Sequence, residues 1–239
     1  ILNPARTLED AARWTKSELD LFPQVADLHR LIRENAPDER TYNRYVDSLK
    51  QSVLTAFYTP PAVVESLAHT LRNHGVTPTR LLEPSAGTGT FVEAFNPGNS
   101  VENVAFEKDL LTGKILNALY PDADVHIEGF ENIKQKQLET FDVVVSNIPF
   151  GDVSVFDLSY SRGTSPAKQQ AARSIHNYFF LKGLDALQEG GVLAFITSQG
   201  VMNSNRNALI REYIMENSRL ISAVRLPNNL FSDFAGTEV

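Results

Sequence analysis

The chain has 239 residues, 42% of them hydrophobic and 21% charged, which is an ordinary globular balance with enough apolar material for a sizeable core. It has no cysteine, so disulfides and thiolate metal sites are excluded, and no apolar run approaches the roughly 18 residues of a membrane span. Its net charge of -7 argues against a free-standing duplex-DNA grip, because such a surface must neutralise phosphates.

Residues 7–50 read as helical, opening on "TLEDAARWTKSELDLF" with a Thr-x-x-Asp start at Thr7 and punctuated by Pro23 and Pro37. "PDERTYNRYVDSLKQSVLTAF" continues the helical set, and "TPPAVVESLAHTLRNHG" predicts a helix with Pro in its first turn and Gly75 as its stop. After Gly75 the pattern changes. Strands are predicted at "RLLEP", "ENVAFEKD", "ADVHIEGF", "FDVVVSN", "GVLAFITS" and "LISAVRLP". Helices are predicted at "LLTGKILNALY", "NYFFLKGLDALQEG" and "NALIREYIMENS". This alternation implies an α/β fold, a doubly wound and mostly parallel sheet of Rossmann-like type, behind an N-terminal helical appendage. Residues 1–51 are assigned to the appendage and 52–239 to the α/β domain. In such sheets ligands bind outside the carboxyl ends of the strands.

Two strand ends carry the chemistry. "LLEPSAGTGTF" (Leu81 to Phe91) is a Gly-rich turn between a strand and a helix, and Glu107 ends the next strand, where an acid can take two ribose hydroxyls. A phosphate-cradling loop needs Lys-Ser or Lys-Thr after its last Gly, but Thr90-Phe91 follows Gly89. A dinucleotide fingerprint wants Gly or Ala where Val92 stands. An acid beside the glycines, Glu83, suits the ammonium group of S-adenosylmethionine. A plain strand-to-helix turn is the competing reading of this stretch.

The second strand end is "VVVSNIPFGD" (Val143 to Asp152). An exocyclic amine such as adenine N6 is a poor nucleophile because its lone pair is delocalised into the ring. Asn147 can accept one of its N–H bonds, and the backbone carbonyl of Ile148 the other. Pro149 restricts the residue before it, and Phe150 can stack on a base. Asn-x-Pro is also a common turn, so on its own this stretch would read equally well as structural.

In order, "AFYTPP" (Ala56 to Pro61), "LEPSAGTGTF", "FEKD" (Phe106 to Asp109) and "SNIPFG" resemble the class I S-adenosylmethionine-dependent N6-adenine DNA methyltransferases of the gamma motif order. The resemblance covers Ser52 to the C-terminus. "EGFENI", "SIHNYFF" and "GGVLAFITSQGVMN" are similar to the methylase domains of large mobile-element and phage methylase-helicase proteins. It implies that Tyr58 and Thr59 meet the methionine carboxylate, and that Glu83, Ser85, Ala86, Gly87 and Gly89 line the amino acid end. It also implies that Glu107 holds the ribose, that Phe130 and Glu131 meet the cofactor adenine, and that Asn147, Ile148, Pro149 and Phe150 hold the target base. No metal is implied. Ile148 stands where the family has Pro, and Gly129 stands where it usually has an acid. The family's last sheet strand is expected after "FAGTEV", and no target-recognition domain is seen. DNA is the implied partner, gripped mainly by regions outside this chain, with a fused helicase-like or specificity region and a cytoplasmic setting expected. A protein-glutamine or RNA-adenine methyltransferase and a catalytically silent methyltransferase-fold module are the alternatives. The segment from Gly151 to His176, with Arg162, Lys168 and Arg173, is long for a connection and reads as a mobile loop over the base or DNA, or as a solvated surface loop.

Overall fold

The computed structural model describes residues 7–55, 59–96, 98, 100–149, 151, 153–227 and 230. Tyr58 and Phe150 therefore lie outside the described residues. The chain divides into two units, residues 1–56 with 109–112, and residues 57–108 with 113–239.

The first unit is helical. A short 3-10 turn, Leu8–Arg13, precedes α1 (Lys16–Asn35) and α2 (Glu39–Thr55). The α1 start is not the predicted Thr7. Thr15 caps it, accepting from the Glu18 N–H while the Glu18 carboxylate accepts from the Thr15 N–H at 2.8 Å, a reciprocal pair that satisfies two end donors. Pro23 lies inside α1 and does not end it, whereas Pro37 falls between α1 and α2 as expected. Ile32, Tyr42, Val46 and Leu49 form this unit's core with Leu111 against them. Ser48 donates to Asp109 Oδ2 at 2.5 Å and accepts from the Leu111 N–H at 2.9 Å.

The second unit is the α/β domain. Its elements are α3 (Pro61–Asn73), β1 (Arg80–Glu83), α4 (Thr90–Phe95), β2 (Glu102–Phe106), α5 (Leu110–Leu119, whose first three residues belong to the first unit), β3 (Asp124–His126) and β4 (Phe141–Asn147). There follow α6 (Leu158–Ser161), α7 (Pro166–Ala171), α8 (Ile175–Ala186), β5 (Leu187–Ile196), α9 (Gly200–Asn203) and α10 (Ala208–Asn217). The five strands lie in the order β3-β2-β1-β4-β5, and every pairing is parallel. The order reverses between β1, which starts the sheet, and β4, so the switch point falls where both motifs end. One face of the sheet is covered by a core of Leu82, Val104, Phe106, Phe130, Val144 and α8 residues. The other is covered by Val64 and Ala68 of α3 with Leu81, Phe91, Phe95, Val143 and Val145. Strands buried on both faces need continuous apolar runs, which is what "VVV" supplies.

Three expectations need correction. The helix read as running to Gly190 stops at Ala186. The Gly190-Gly191 pair serves instead a bulge in β5, with Gly190 at φ +79 and a side chain at Gly191 set to meet Leu187 Cδ2 at 2.8 Å and Phe141 O at 3.0 Å. The strand expected at Leu220–Pro227 pairs with none of the described strands, and Leu220, Ile221 and Val224 are exposed. An apolar run becomes a strand only where a neighbouring backbone takes its hydrogen bonds. Finally, the segment after Gly151 is folded, not an open loop. It forms α6 and α7, and Tyr160, Ala167, Ala171 and Ala172 enter the main core.

Candidate active site

The Gly-rich turn leaves β1 at Glu83 and reaches α4 at Thr90. The Ala86 N–H donates to Phe106 O at 2.9 Å, which pins the turn to the end of β2. Gly87 (φ +55) and Gly89 (φ +90) hold left-handed conformations that favour glycine. A side chain at Gly89 would also meet the side chains of Leu116 of α5 and of Tyr120 just after it, at 2.7 and 2.4 Å, so the packing there adds to what the turn requires. The Gly87 N–H donates to Glu107 Oε2 at 2.8 Å, bringing the acid at the end of β2 against the turn.

Glu83 is 1% exposed. Burial pushes its carboxyl well above the usual carboxylate range, the Val92 backbone N–H opposes that, and the nearby Glu107 charge adds to it. Its Oε2 has no hydrogen-bond partner among the described residues. An orphaned buried carboxylate oxygen is costly, and a cation placed against it removes the cost.

The second turn is tied to the first. Ser146 Oγ, at the end of β4, donates to Ser85 O at 3.3 Å. Asn147 is the last residue of β4, in register with Ile196 of β5, and its Oδ1 is shielded from solvent. The Ile148 N–H donates to Ile196 O at 3.1 Å, and the Ile148 side chain is fully buried in the main core. Thr59, just before α3, is buried. Phe130 is also buried, ringed by Phe106, Phe179 and Tyr178 at centroid distances of 5.8, 5.4 and 6.4 Å. Glu131 is half-buried, 3.7 Å from Lys108 Nζ. The structure thus brings Glu83, Ser85, Ala86, Gly87, Glu107, Asn147 and Ile148 to one edge of the sheet.

Sequence reasoning missed one cluster. Asp157 accepts from Tyr178 Oη at 2.7 Å, Lys182 Nζ at 3.0 Å and the N–H and hydroxyl of Ser159 at 2.8 and 2.6 Å. Burial raises its pKa, but those hydrogen bonds outweigh it and hold the carboxyl at about 2. Lys168 meets Asp185 at 2.7 Å, and Tyr160 Oη donates to the same carboxylate at 2.7 Å. The one available signal was Tyr178 and Lys182 four apart on α8, which share a helix face.

A parallel Rossmann-like sheet with a Gly-rich turn, an acid after the next strand and an Asn-ended β4 defines a class I methyltransferase. Among solved structures, a protein from Listeria monocytogenes described as a class I S-adenosylmethionine-dependent methyltransferase matches with a TM-score of 0.56 and 14% identity, covering 87% of this chain and 74% of that one. A protein of Vibrio vulnificus YJ016, described as the modification subunit of a type I restriction enzyme, matches with a TM-score of 0.52 and 17% identity over 84% of this chain and 44% of that one. Residues 44–238 match the N-6 DNA Methylase family, and the chain belongs to that family. The chain is 29% identical over 188 residues to Defense against restriction protein B of Escherichia phage P1, covering 77% of this chain and 8% of that protein. It is 22% identical over 210 residues to the type II methyltransferase M.AccI of Acinetobacter calcoaceticus, covering 82% of this chain and 37% of that enzyme. The chain thus spans well under half the length of the curated relatives it matches. The cofactor is S-adenosylmethionine, and the site fits it, because Glu83 offers a buried oxygen that has no hydrogen-bond partner among the described residues. Among the described residues no helix is long and apolar enough to cross a membrane.

Proposed function

We propose that this chain is the catalytic part of a cytoplasmic enzyme that methylates the N6 amino group of adenine in DNA, with the base flipped out of the helix. The observation that carries this reading is the bond from Ser146 Oγ to Ser85 O, which fixes the Asn-Ile-Pro turn beside the Gly-rich turn. S-adenosylmethionine supplies an electrophilic methyl group on a sulfonium. Glu83 would take its ammonium, Glu107 its ribose, and Thr59 and Tyr58 its carboxylate, with Ser85, Ala86, Gly87 and Gly89 around the amino acid end. Phe130 and Glu131 remain the proposed adenine side.

Asn147 Oδ1 and the Ile148 carbonyl would accept the two N–H bonds of the amine. That draws the lone pair out of the ring as the nitrogen takes on positive charge, and it holds the nucleophile in line. Methyl transfer would form the N–C bond as the methyl–sulfonium bond breaks, leaving the neutral thioether S-adenosylhomocysteine, and the nitrogen would give up one proton to solvent. Pro149 would fix the Ile148 carbonyl, and Phe150 would stack on the base.

The test is Asn147→Ala in the full-length protein, read by N6-methyladenine content of DNA and by calorimetric titration with S-adenosylmethionine. Methylation is expected to fall at least about a hundredfold with cofactor binding retained. Wild-type binding is expected to tighten as pH rises, because the raised Glu83 carboxyl must give up its proton to meet the ammonium. An unchanged methylation rate would sink the mechanism. Methyl transfer to RNA or to a protein glutamine in place of DNA would replace the substrate.

A further inference from the structure

The segment after the Asn-Ile-Pro turn carries an unusual surface. Val153, Phe156 and Leu158 are 57%, 80% and 48% exposed. Large apolar residues scattered singly need no account, but three within six positions of one segment do.

Phe156 is held rigidly from both sides. The Val155 N–H donates to Ala172 O at 2.8 Å, and the Val155 side chain packs against the main core. Asp157 is buried and bound by Ser159, Tyr178 and Lys182. The chain therefore alternates in, out, in, and Phe156 projects from a fixed base.

Its place in the fold follows from topology. α8 passes directly into β5, and β5 runs parallel to β4. The start of α8 therefore lies at the sheet edge where β4 ends in Asn147. Ala172, three residues before α8, brings Val155 to that edge, and Phe156 follows it in the chain.

Charge adds an independent argument. In a chain of net charge -7, residues 151–176 contain two acids, Asp152 and Asp157, against three basic residues, Arg162, Lys168 and Arg173, and Asp157 is buried against Lys182. Arg162 and Arg173 are exposed, and Arg173 follows the Ala172 that holds Val155. Exposed cations on the same segment as a projecting aromatic match a surface of phosphates around stacked bases.

We propose that residues 153–173 are the face of this chain that meets DNA, with Phe156 wedged into the base stack at the target adenine and Arg162 and Arg173 on flanking phosphates. This rests on the DNA-methylating reading above. A wedge fills the space that a flipped base leaves and offsets the cost of unstacking.

The experiment compares Phe156→Ala and wild type, both full-length, on two duplexes carrying the methylated site. One is fully paired, and the other has an abasic position opposite the target adenine. Phe156→Ala is expected to lose about tenfold or more in kcat/KM on the paired duplex and to recover to within about threefold of wild type on the abasic one, where extrusion costs least. Arg162→Ala with Arg173→Ala is expected to raise KM on both duplexes and to flatten the log–log salt dependence by about two. Equal loss by Phe156→Ala on both duplexes, or a lowered melting temperature for that variant, would mean that Phe156 packs against protein, and would overturn the wedge. No loss on either duplex would overturn it as well. No methylation of either duplex by wild type would instead overturn the functional reading, and the wedge with it.

Discussion

Ile148 occupies a position where proline is expected from the family resemblance, and the structure gives its backbone a task that proline cannot perform. Its N–H donates to Ile196 O at 3.1 Å, and its side chain is wholly buried in the core. Both fix the direction of its carbonyl, the group proposed to face the amine. Rigidity that proline would supply through its ring is supplied here by packing and a hydrogen bond. Asn147 is already extended as the last residue of β4, so proline at 148 would not clash there. Ile148→Pro should nevertheless destabilise the protein by about 2–4 kcal/mol, through the lost bond and the cavity, and lower methylation with it. Ile148→Val should cost about 1 kcal/mol and keep activity. Urea unfolding midpoints and methylation rates check both, and a wild-type midpoint for Ile148→Pro would show that the bond contributes nothing. The strand-end positions of Glu83 and Asn147 were legible in the sequence because each closes an apolar run before a turn. The inward turn of Ile148 was not, since one apolar residue after a strand can face either way.

At the scale of elements, the stretch after β4 is where sequence reading was weakest. Its Ser, Thr and Gly content suggested an open loop, and the short helices α6 and α7 are below the length at which periodicity speaks. What folds it is a buried ion pair, Asp157 with Lys182, reached over 25 residues of sequence and invisible to local pattern. Replacing Asp157 with Asn would leave the Lys182 charge buried without its counter-charge, a loss of about 3–5 kcal/mol. Lys182→Met added to Asp157→Asn should restore much of that, because the uncompensated charge is then gone. The pH dependence has a definite sign. The Asp157 carboxyl is held at about 2, below its ordinary value, so its stabilisation is complete above about pH 4 and is lost as pH falls toward 2. That share is roughly 2 kcal/mol in wild type and absent in Asp157→Asn. Urea titrations at pH 7 and pH 3 measure both effects, and identical acid sensitivity in the two proteins would remove the ion pair as the cause. The strands β1 to β4, by contrast, were legible because each is an apolar run punctuated by a turn.

Over the whole molecule, charge and fold point in different directions. The fold is that of a class I methyltransferase, yet 29 acidic residues against 22 basic ones leave a field that repels a polyanion. The only basic surface argued for above is small, two arginines on one segment. Two phosphate contacts supply little affinity, since counterion release scales with the number of phosphates neutralised. The chain also spans only 8–37% of the length of its curated relatives, which leaves room for a DNA grip elsewhere. Residues 1–239 prepared alone, and shown to be folded by cooperative thermal unfolding, should therefore bind duplex DNA no tighter than about 10⁻⁵ M at 150 mM salt, with a shallow salt slope near -2. The full-length protein should bind at least about a hundredfold tighter and with a steeper slope. Fluorescence anisotropy across a salt series separates the two cases. Tight binding and a steep slope from this chain alone would mean that its cations are gathered on one face strongly enough to overcome its net charge, and would move the DNA grip into the catalytic part itself.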